Sequence, residues 1–319
     1  MIHGLAARWR GNSLIPHYDI GPRVHAPRLA LVADLSDQSL NGLFVLSRLA
    51  AFLQEIEAGQ RQGLRLRERV LIIPANGNTL NTPDADATRI AWAQWPWAEA
   101  VIALTRLAYY RVEIHPASLD VEEMPQVRLY APHDDERASA CLFGLPAVIE
   151  RPIEPRDTLG LLRIWRLYGG ENFAIHVGQA GSLQTNHCET LFRALVAFLD
   201  RTGIVSGLHL ADEEDLRYFG LQQIVVVRAE QSGVFSSRQA VGRWIRAGED
   251  LGCVHDDFTG SERTRILATV SGLLSSLYRQ PLLRAGDRVA QILMPETPIQ
   301  RRRTRRIGER YEQRFMQRS

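Results

Sequence analysis

Apolar residues fall in two rhythms along this chain. Arg28–Ala33 and Arg69–Pro74 are almost unbroken apolar runs, as expected of strands buried on both faces. Between them Leu43, Leu46, Leu49, Ala50 and Leu53 recur at helical spacing, which predicts a helix over 41–58 with Asn41 as its N-cap and Gly59 just past its end. The same two rhythms continue downstream. Helices are predicted over 97–109, 133–143, 159–168 and 187–201, and strands over 111–114, 126–130, 147–149 and 173–177. Residues 1–27 read as irregular, broken by Pro16, Pro22 and Pro27, and 75–86 as a turn-rich loop. Strands that alternate with helices predict an α/β fold, a mostly parallel (mixed) sheet flanked by helices.

The rhythm changes after about Gly207. Short β-type runs follow at 223–229, 233–236, 265–271, 273–278 and 288–293, separated by turn signals. Two similar turns recur, Ile245-Arg246-Ala247-Gly248-Glu249 and Leu283-Arg284-Ala285-Gly286-Asp287, each followed by an apolar strand. This predicts a small all-β sandwich or barrel with internal pseudo-symmetry. The domain reading is therefore 1–210 for the α/β part, 211–294 for the β part, and 295–319 for an Arg-rich tail.

Composition narrows the chemistry. The 319 residues are 45% hydrophobic and 23% charged, an ordinary globular balance with room for a sizeable core. A net charge of +2 argues against a globally basic nucleic-acid binder. All 38 basic residues are Arg, so neither a lysine Schiff base nor a P-loop lysine is available. Cys141, Cys188 and Cys253 stand far apart with no Cys-x-x-Cys pair, which predicts small buried residues in a reducing compartment. No secretory leader and no membrane-length apolar run is visible, so the expected location is the cytoplasm, with no membrane partner. The tail carries Arg301, Arg302, Arg303, Arg305, Arg306, Arg310, Arg314 and Arg318, a solvated segment or a contact for an acidic partner or a sister subunit in a homo-oligomer.

Two stretches draw the eye as chemistry. His133-Asp134-Asp135-Glu136 looks like a metal cluster, but consecutive residues do not converge from one helix face, and acids suit a first helical turn. Ala33–Gly42 lies where a strand ends and a helix begins, the edge at which open α/β sheets place their sites.

In its order of pieces the chain resembles the succinylglutamate desuccinylase/aspartoacylase family, relatives of the zinc carboxypeptidases, over residues 10–295. The first strand of that family ends in Gly-x-His-Gly-x-Glu. Here Asp34-Leu35-Ser36-Asp37-Gln38-Ser39-Leu40-Asn41-Gly42 stands in its place, so the two zinc ligands fall on Ser36 and Ser39. Ile72-Ile73-Pro74-Ala75-Asn76 looks like the family's strand ending in Pro-x-x-Asn. Its Asp-Leu-Asn-Arg carboxylate clamp corresponds to Asp86-Ala87-Thr88-Arg89, with the Arg kept and the Asn changed to Thr88. Glu113-Ile114-His115 matches Asp-Leu-His, which gives His115 as the third ligand. Ala174-Ile175-His176-Val177-Gly178 matches Thr-x-Glu-x-Gly, which places His176 where the family has its catalytic Glu. The C-terminal part is similar to the family's barrel-sandwich domain.

The resemblance implies a zinc-dependent deacylase, and the replaced positions imply that zinc is absent or weakly held. A catalytic zinc takes about three His, Glu, Asp or Cys ligands, and neutral serines are poor substitutes. Two readings follow. In the first, a hydrolase fold without its zinc chemistry acts as a binding or scaffold protein for a carboxylate-bearing ligand or a protein partner, using Arg89, Thr88 and Asn76. In the second, a metal-dependent hydrolase of N-acyl amino acids has a rebuilt site, with His115 and His176 joined by Asp34 or Asp37.

Overall fold

The computed structural model describes residues 15–33, 38–74, 98–153, 160–210 and 217–295. The chain divides into two units, residues 1–218 with 276–280, and residues 219–275 with 281–319.

In the first unit the described elements run β1 (Tyr18–Ile20), β2 (Leu29–Ala33), α1 (Leu40–Glu57), β3 (Arg65–Leu66), β4 (Val70–Ile73), α2 (Ala98–Thr105), β5 (Tyr110–His115), β6 (Val121–Tyr130), α3 (Asp134–Ala140), β7 (Ala147–Arg151), α4 (Gly160–Trp165), β8 (Glu171–Gly178), α5 (Thr185–Arg201), β9 (Val205–Ser206) and β10 (Arg217–Phe219). The central sheet has the order β1-β4-β2-β5-β8-β6, with β7 beside β6 and β10 beside β7. Parallel pairing joins β4, β2, β5 and β8, and also β6 and β7, whereas β1 runs antiparallel to β4 and β6 antiparallel to β8. The sheet is therefore mixed and flanked by helices, as the alternation of periods predicts.

Strands β2 and β4 are apolar at every position and buried on both faces. Their Leu29, Leu31, Val70 and Ile72 join Val45, Leu46, Leu49 and Leu53 of α1 and Leu191, Leu195 and Phe198 of α5 in the main core. Val32 and Ile73 pack on the other face with Val101 of α2 and Leu161 and Trp165 of α4.

Three local expectations are corrected. Residues 18–20 are an edge strand, not irregular chain, held to β4 and by an Asp19–Arg69 ion pair at 2.7 Å. Helix α2 stops at Thr105 instead of Tyr109, because Ala108 N turns back onto the Thr105 carbonyl and Tyr110 already pairs in β5. Asn41 is not the cap of α1. Ser39 holds that position without a side-chain capping bond, and the Asn41 amide faces Gln184. The acids before Ala140 do sit in a helix start, where the Glu136 carboxylate accepts the backbone N–H of His133. Cys188 and Cys253 are buried and Cys141 half-buried, all three free.

Strand β6 starts five residues before the predicted one. Pro125 explains the shortened prediction, since proline interrupts a ladder. The chain absorbs it as an irregularity in register between Glu123 and Gln126. Residues 276–278 pair antiparallel with 121–123, which is how a segment distant in sequence returns to the first unit.

The second unit carries β11 (Ile224–Arg228), β12 (Gly233–Ser237), β13 (Trp244–Ile245), β14 (Asp250–His255), β15 (Glu262–Leu267), β16 (Gly272–Tyr278, whose last residues belong to the return), β17 (Leu282–Leu283) and β18 (Arg288–Leu293). Strands β15, β14, β12 and β17 form one sheet, while β11 pairs with β18 and β13 with β16. The two similar turns match bond for bond. Glu249 accepts the Arg246 N–H at 2.9 Å and Asp287 accepts the Arg284 N–H at 2.8 Å. Gly248 and Gly286 then take positive φ of 82° and 90°, the conformation that selects glycine there.

Candidate functional site

Strands β5, β8 and β6 alternate strictly, and both halves of the alternation are buried. Val112, Ile114, Phe173, Ile175, Val127 and Leu129 face the main core. The residues between them are polar apart from Ala174, yet Arg111, Glu113, Gln126, Arg128 and Asn172 are all at most 9% exposed. Register stacks them in rows. Arg111 lies opposite Asn172, Glu113 opposite Ala174 and so across from Arg128, and His115 opposite His176 and so across from Gln126. In the middle row the small Ala174 stands between the carboxylate and the guanidinium, itself fully buried in the cluster of Val32, Leu161 and Trp165.

The last row forms the site. His115 ends β5 and His176 lies two residues before the end of the neighbouring parallel β8, and their rings stack with centroids 5.2 Å apart and planes 27° apart. Nε2 of His115 lies 3.3 Å from a Glu113 carboxylate oxygen, and Nδ1 of His176 lies 3.5 Å from the Glu123 carboxylate. Arg128 Nη2 donates to the other Glu123 oxygen at 2.6 Å, and Gln126 Nε2 donates to the first at 3.3 Å. Burial raises the Glu123 carboxyl, but Arg128 and His176 outweigh it and hold the group well below the usual carboxylate range. Burial, with Arg128 adding to it, pushes the His176 imidazole down to about 3, so this ring is neutral at neutral pH.

Beneath the helix start, Ser39 is buried and its hydroxyl has no hydrogen-bond partner among the described residues. The frame around it is tight. Gln179 N donates to Gln184 Oε1 at 2.7 Å, and Gln184 N donates to Asn41 Oδ1 at 2.8 Å, which ties the end of β8 to the start of α1. Gly178 has φ +68°, and a Cβ there would overlap both the Asn41 and Gln184 amides, so the turn after β8 requires glycine.

Of the sequence-predicted site residues, His115 and His176 are brought together and Ser39 lies at the start of α1. Asp34, Ser36, Asp37, Asn76, Thr88 and Arg89 lie outside the described residues. Glu123, Gln126 and Arg128 were not singled out from sequence, and Glu113 only as part of a motif. The available signal was the alternation of Arg111, Glu113 and His115 in β5 and of Gln126 and Arg128 in β6 with apolar residues, with Asn172 and His176 on either side of Ala174 in β8.

The donor chemistry does not fit zinc among the described residues. Ser39 offers a neutral hydroxyl, Glu123 is committed to Arg128, and no group of three His, Cys, Asp or Glu is disposed to hold a metal. Among the described residues no helix is long and apolar enough to cross a membrane.

No protein-family model matches the sequence, and no curated protein matches it. Solved structures do match over both their length and this chain's. A succinylglutamate desuccinylase from Silicibacter sp. TM1040 is 18% identical with a TM-score of 0.67, covering 89% of each chain. The product-bound ectoine utilization protein EutE (DoeB) from Ruegeria pomeroyi is 19% identical with a TM-score of 0.66, covering 88% of this chain and 89% of its own. A succinylglutamate desuccinylase/aspartoacylase from Rhodobacter sphaeroides is 17% identical with a TM-score of 0.64, covering 89% and 90%. At these identities the likeness is one of fold, and the chain has the fold of the succinylglutamate desuccinylase/aspartoacylase structures.

Proposed function

We propose that this chain is a binding protein built on a zinc-hydrolase fold, one that has given up zinc-dependent amide hydrolysis. Its ligand is a small carboxylate-bearing molecule such as an N-acyl amino acid, with a protein partner as the broader form of the same reading. The observation that carries the reading is the state of the position matched to the catalytic Glu. His176 stands there, and Glu123, whose carboxylate lies 3.5 Å from its ring, is tied to Arg128 at 2.6 Å. A carboxylate locked in a buried ion pair cannot swing to take a proton from water, and a strongly desolvated imidazole is a weak base.

In this reading Arg89 is the planar fork for the ligand carboxylate, and Thr88 and Asn76 are further ligand-binding residues. The first unit is read as zinc-carboxypeptidase-like and the second as a small barrel-sandwich, supported by its matched turns. The boundaries are placed at 210 and 294, and the Arg-rich tail meets an acidic partner or a second copy of the chain. The protein is read as cytoplasmic.

A second reading has one observation in its favour. The His115 and His176 rings are adjacent and a Glu113 oxygen lies 3.3 Å from His115 Nε2, which is a starting set for a rebuilt metal site completed by Asp34 or Asp37. It would make the chain a metal-dependent hydrolase of N-acyl amino acids.

One set of measurements separates them. Metal content of the purified full chain is read by elemental analysis, and N-succinylglutamate is offered with and without added zinc. The binding reading expects well under one zinc per chain, no turnover, and calorimetric binding that Arg89→Ala weakens at least tenfold. One zinc per chain, lost in both His115→Ala and His176→Ala and accompanied by turnover, overturns it.

A further inference from the structure

Strands β2, β5 and β8 are parallel neighbours, so the loops that lead into them lie side by side, at the ends opposite the histidine pair. Leu29, Tyr110 and Glu171 share one row. Backbone bonds tie the residues just before them. Tyr110 N donates to the Arg28 carbonyl at 2.9 Å, and Glu171 N to the Tyr109 carbonyl at 2.8 Å. Two of the loops are also joined through their helices. α2 ends at Thr105 and α4 at Trp165, and the Trp165 indole N–H donates to the Thr105 hydroxyl at 2.8 Å. Leu107 and Leu167 each stand two residues past that bond.

These loops hold apolar side chains out to water. Leu167 is 80% exposed, Val24 78% and Leu107 66%, and Tyr109 and Tyr168 are exposed beside them. A single exposed leucine is ordinary. Large apolar side chains on three adjacent loops make a patch, and a patch marks a contact.

The charge on the same loops has one sign. Arg23 and Arg28 precede β2, Arg106 precedes β5, and Arg163 and Arg166 precede β8. None of residues 21–28, 106–109 and 163–170 is acidic. The Arg28 guanidinium lies 4.2 Å over the Tyr109 ring, so cation and aromatic are already in contact. Asp19 comes within 3.9 Å of Arg23 but is engaged by Arg69 at 2.7 Å. Asp134 and Asp135, at the start of α3, bound the patch on the β6 side of β8.

We propose that this edge of the first unit docks onto an anionic lipid surface. The leucines, the valine and the tyrosines enter the headgroup layer, and the arginines meet lipid phosphates and carboxylates. A fluid bilayer accepts side chains that project from loops without a matching pocket, which a folded protein partner would have to supply. Tyrosine suits the interface with an apolar ring and a polar tip. Arginine lays its stem along apolar surface and keeps its head among the phosphates. Such a contact needs no apolar run of membrane length. It goes beyond the ligand reading and does not depend on it.

The test is sedimentation of the full-length chain with vesicles of phosphatidylcholine alone and of phosphatidylcholine mixed with phosphatidylserine. The expected result is binding to the mixed vesicles only, weakened by high salt. Leu107→Ser with Leu167→Ser should lower that affinity at least tenfold, and Arg106→Gln with Arg163→Gln several-fold. Thermal midpoints should stay unchanged in both, because all four positions are exposed. Leu167→Trp should add an emission component, missing from the parent, that moves to shorter wavelength on the mixed vesicles. Full binding by the folded leucine variant overturns the proposal and assigns the lipid contact to the Arg-rich tail, which those substitutions leave intact. If that variant does not fold, an unshifted Leu167→Trp emission overturns it. Equal binding to both vesicles overturns it, since charge would then play no part. Binding to neither, with a dimer of the parent chain that the leucine variant loses, overturns it in favour of a second copy. Binding to neither without such a dimer overturns it outright.

Discussion

Strands β5, β8 and β6 present two faces that are equally buried and chemically opposite. One carries Val112, Ile114, Phe173, Ile175, Val127 and Leu129, and the other Arg111, Glu113, Asn172, Gln126 and Arg128. On the apolar face stability comes from area removed from water and from close packing, and each residue contributes nearly by itself. On the polar face every buried group costs free energy until a partner satisfies it, so residues contribute as sets. The same strands therefore teach two rules of substitution, and the largest effects are where the rules diverge.

Phe173→Ala should cost about 3–5 kcal/mol, the ordinary price of a cavity where an aromatic ring was fully buried. Arg128→Met should cost a similar amount, about 3–5 kcal/mol, for another reason. It leaves the Glu123 carboxylate buried without the guanidinium now 2.6 Å away. The double variant Arg128→Met with Glu123→Leu separates the two rules. On the polar face it should recover most of the loss, since replacing a whole buried pair by apolar groups is often neutral. Urea midpoints of the three variants decide the matter. A double variant no better than Arg128→Met alone would mean that this face packs like the other.

Gly178→Ala comes next, at about 1–3 kcal/mol for a non-glycine residue at φ +68°, with the overlap on the Asn41 and Gln184 amides added to it. Asn41→Ala in the same chain should relieve part of the loss in a thermal melt, because it removes one of the two overlapping groups. The apolar face offers no counterpart, since its tight contacts are between side chains that can give.

Acid should act on the polar face alone. The unfolded His176 takes up a proton near pH 6.5 whereas the folded one, pushed to about 3 first by burial and then by Arg128, does not. Below pH 6.5 the unfolded chain then binds more protons, so stability falls as pH falls. The slope approaches about 1.4 kcal/mol per pH unit for this one group. Glu123, held below its ordinary value, adds to the loss from about pH 4.5 downward. Urea midpoints taken in chelator from pH 7 to 4 should drop in the parent chain and drop less steeply in His176→Gln. Parallel curves would show that His176 titrates as an exposed histidine.

Much of the frame was legible because its signals are local. Unbroken apolar runs mark β2 and β4, helical spacing marks α1 and α5, and three acids mark the start of α3. The polar face was not legible, because Arg111, Glu113 and His115 alternate with apolar residues just as a solvent-facing strand would. What buries them is tertiary and leaves no local trace. Asn41 misled for a related reason. An asparagine before an apolar run is a good cap signal, but here its amide is taken by Gln184, 143 residues away. The matched turns of the second unit were legible as a repeat, because each needs an acid and a glycine at fixed offsets.

The smallest expected effect is the one that bears most directly on the site. Ser39 holds the N-cap position of α1, and a capping serine changed to alanine costs about 1 kcal/mol. This serine makes no capping bond, and its buried hydroxyl lacks a partner among the described residues. Ser39→Ala should then be neutral or stabilise the free protein by up to about 1 kcal/mol, because removing an unsatisfied buried hydroxyl removes its desolvation penalty. The sign is what matters. A loss of about 1 kcal/mol would make Ser39 an ordinary cap of α1. A gain in stability together with weaker binding of N-succinylglutamate would mean that the hydroxyl is retained for a ligand, at a position where the fold itself prefers alanine.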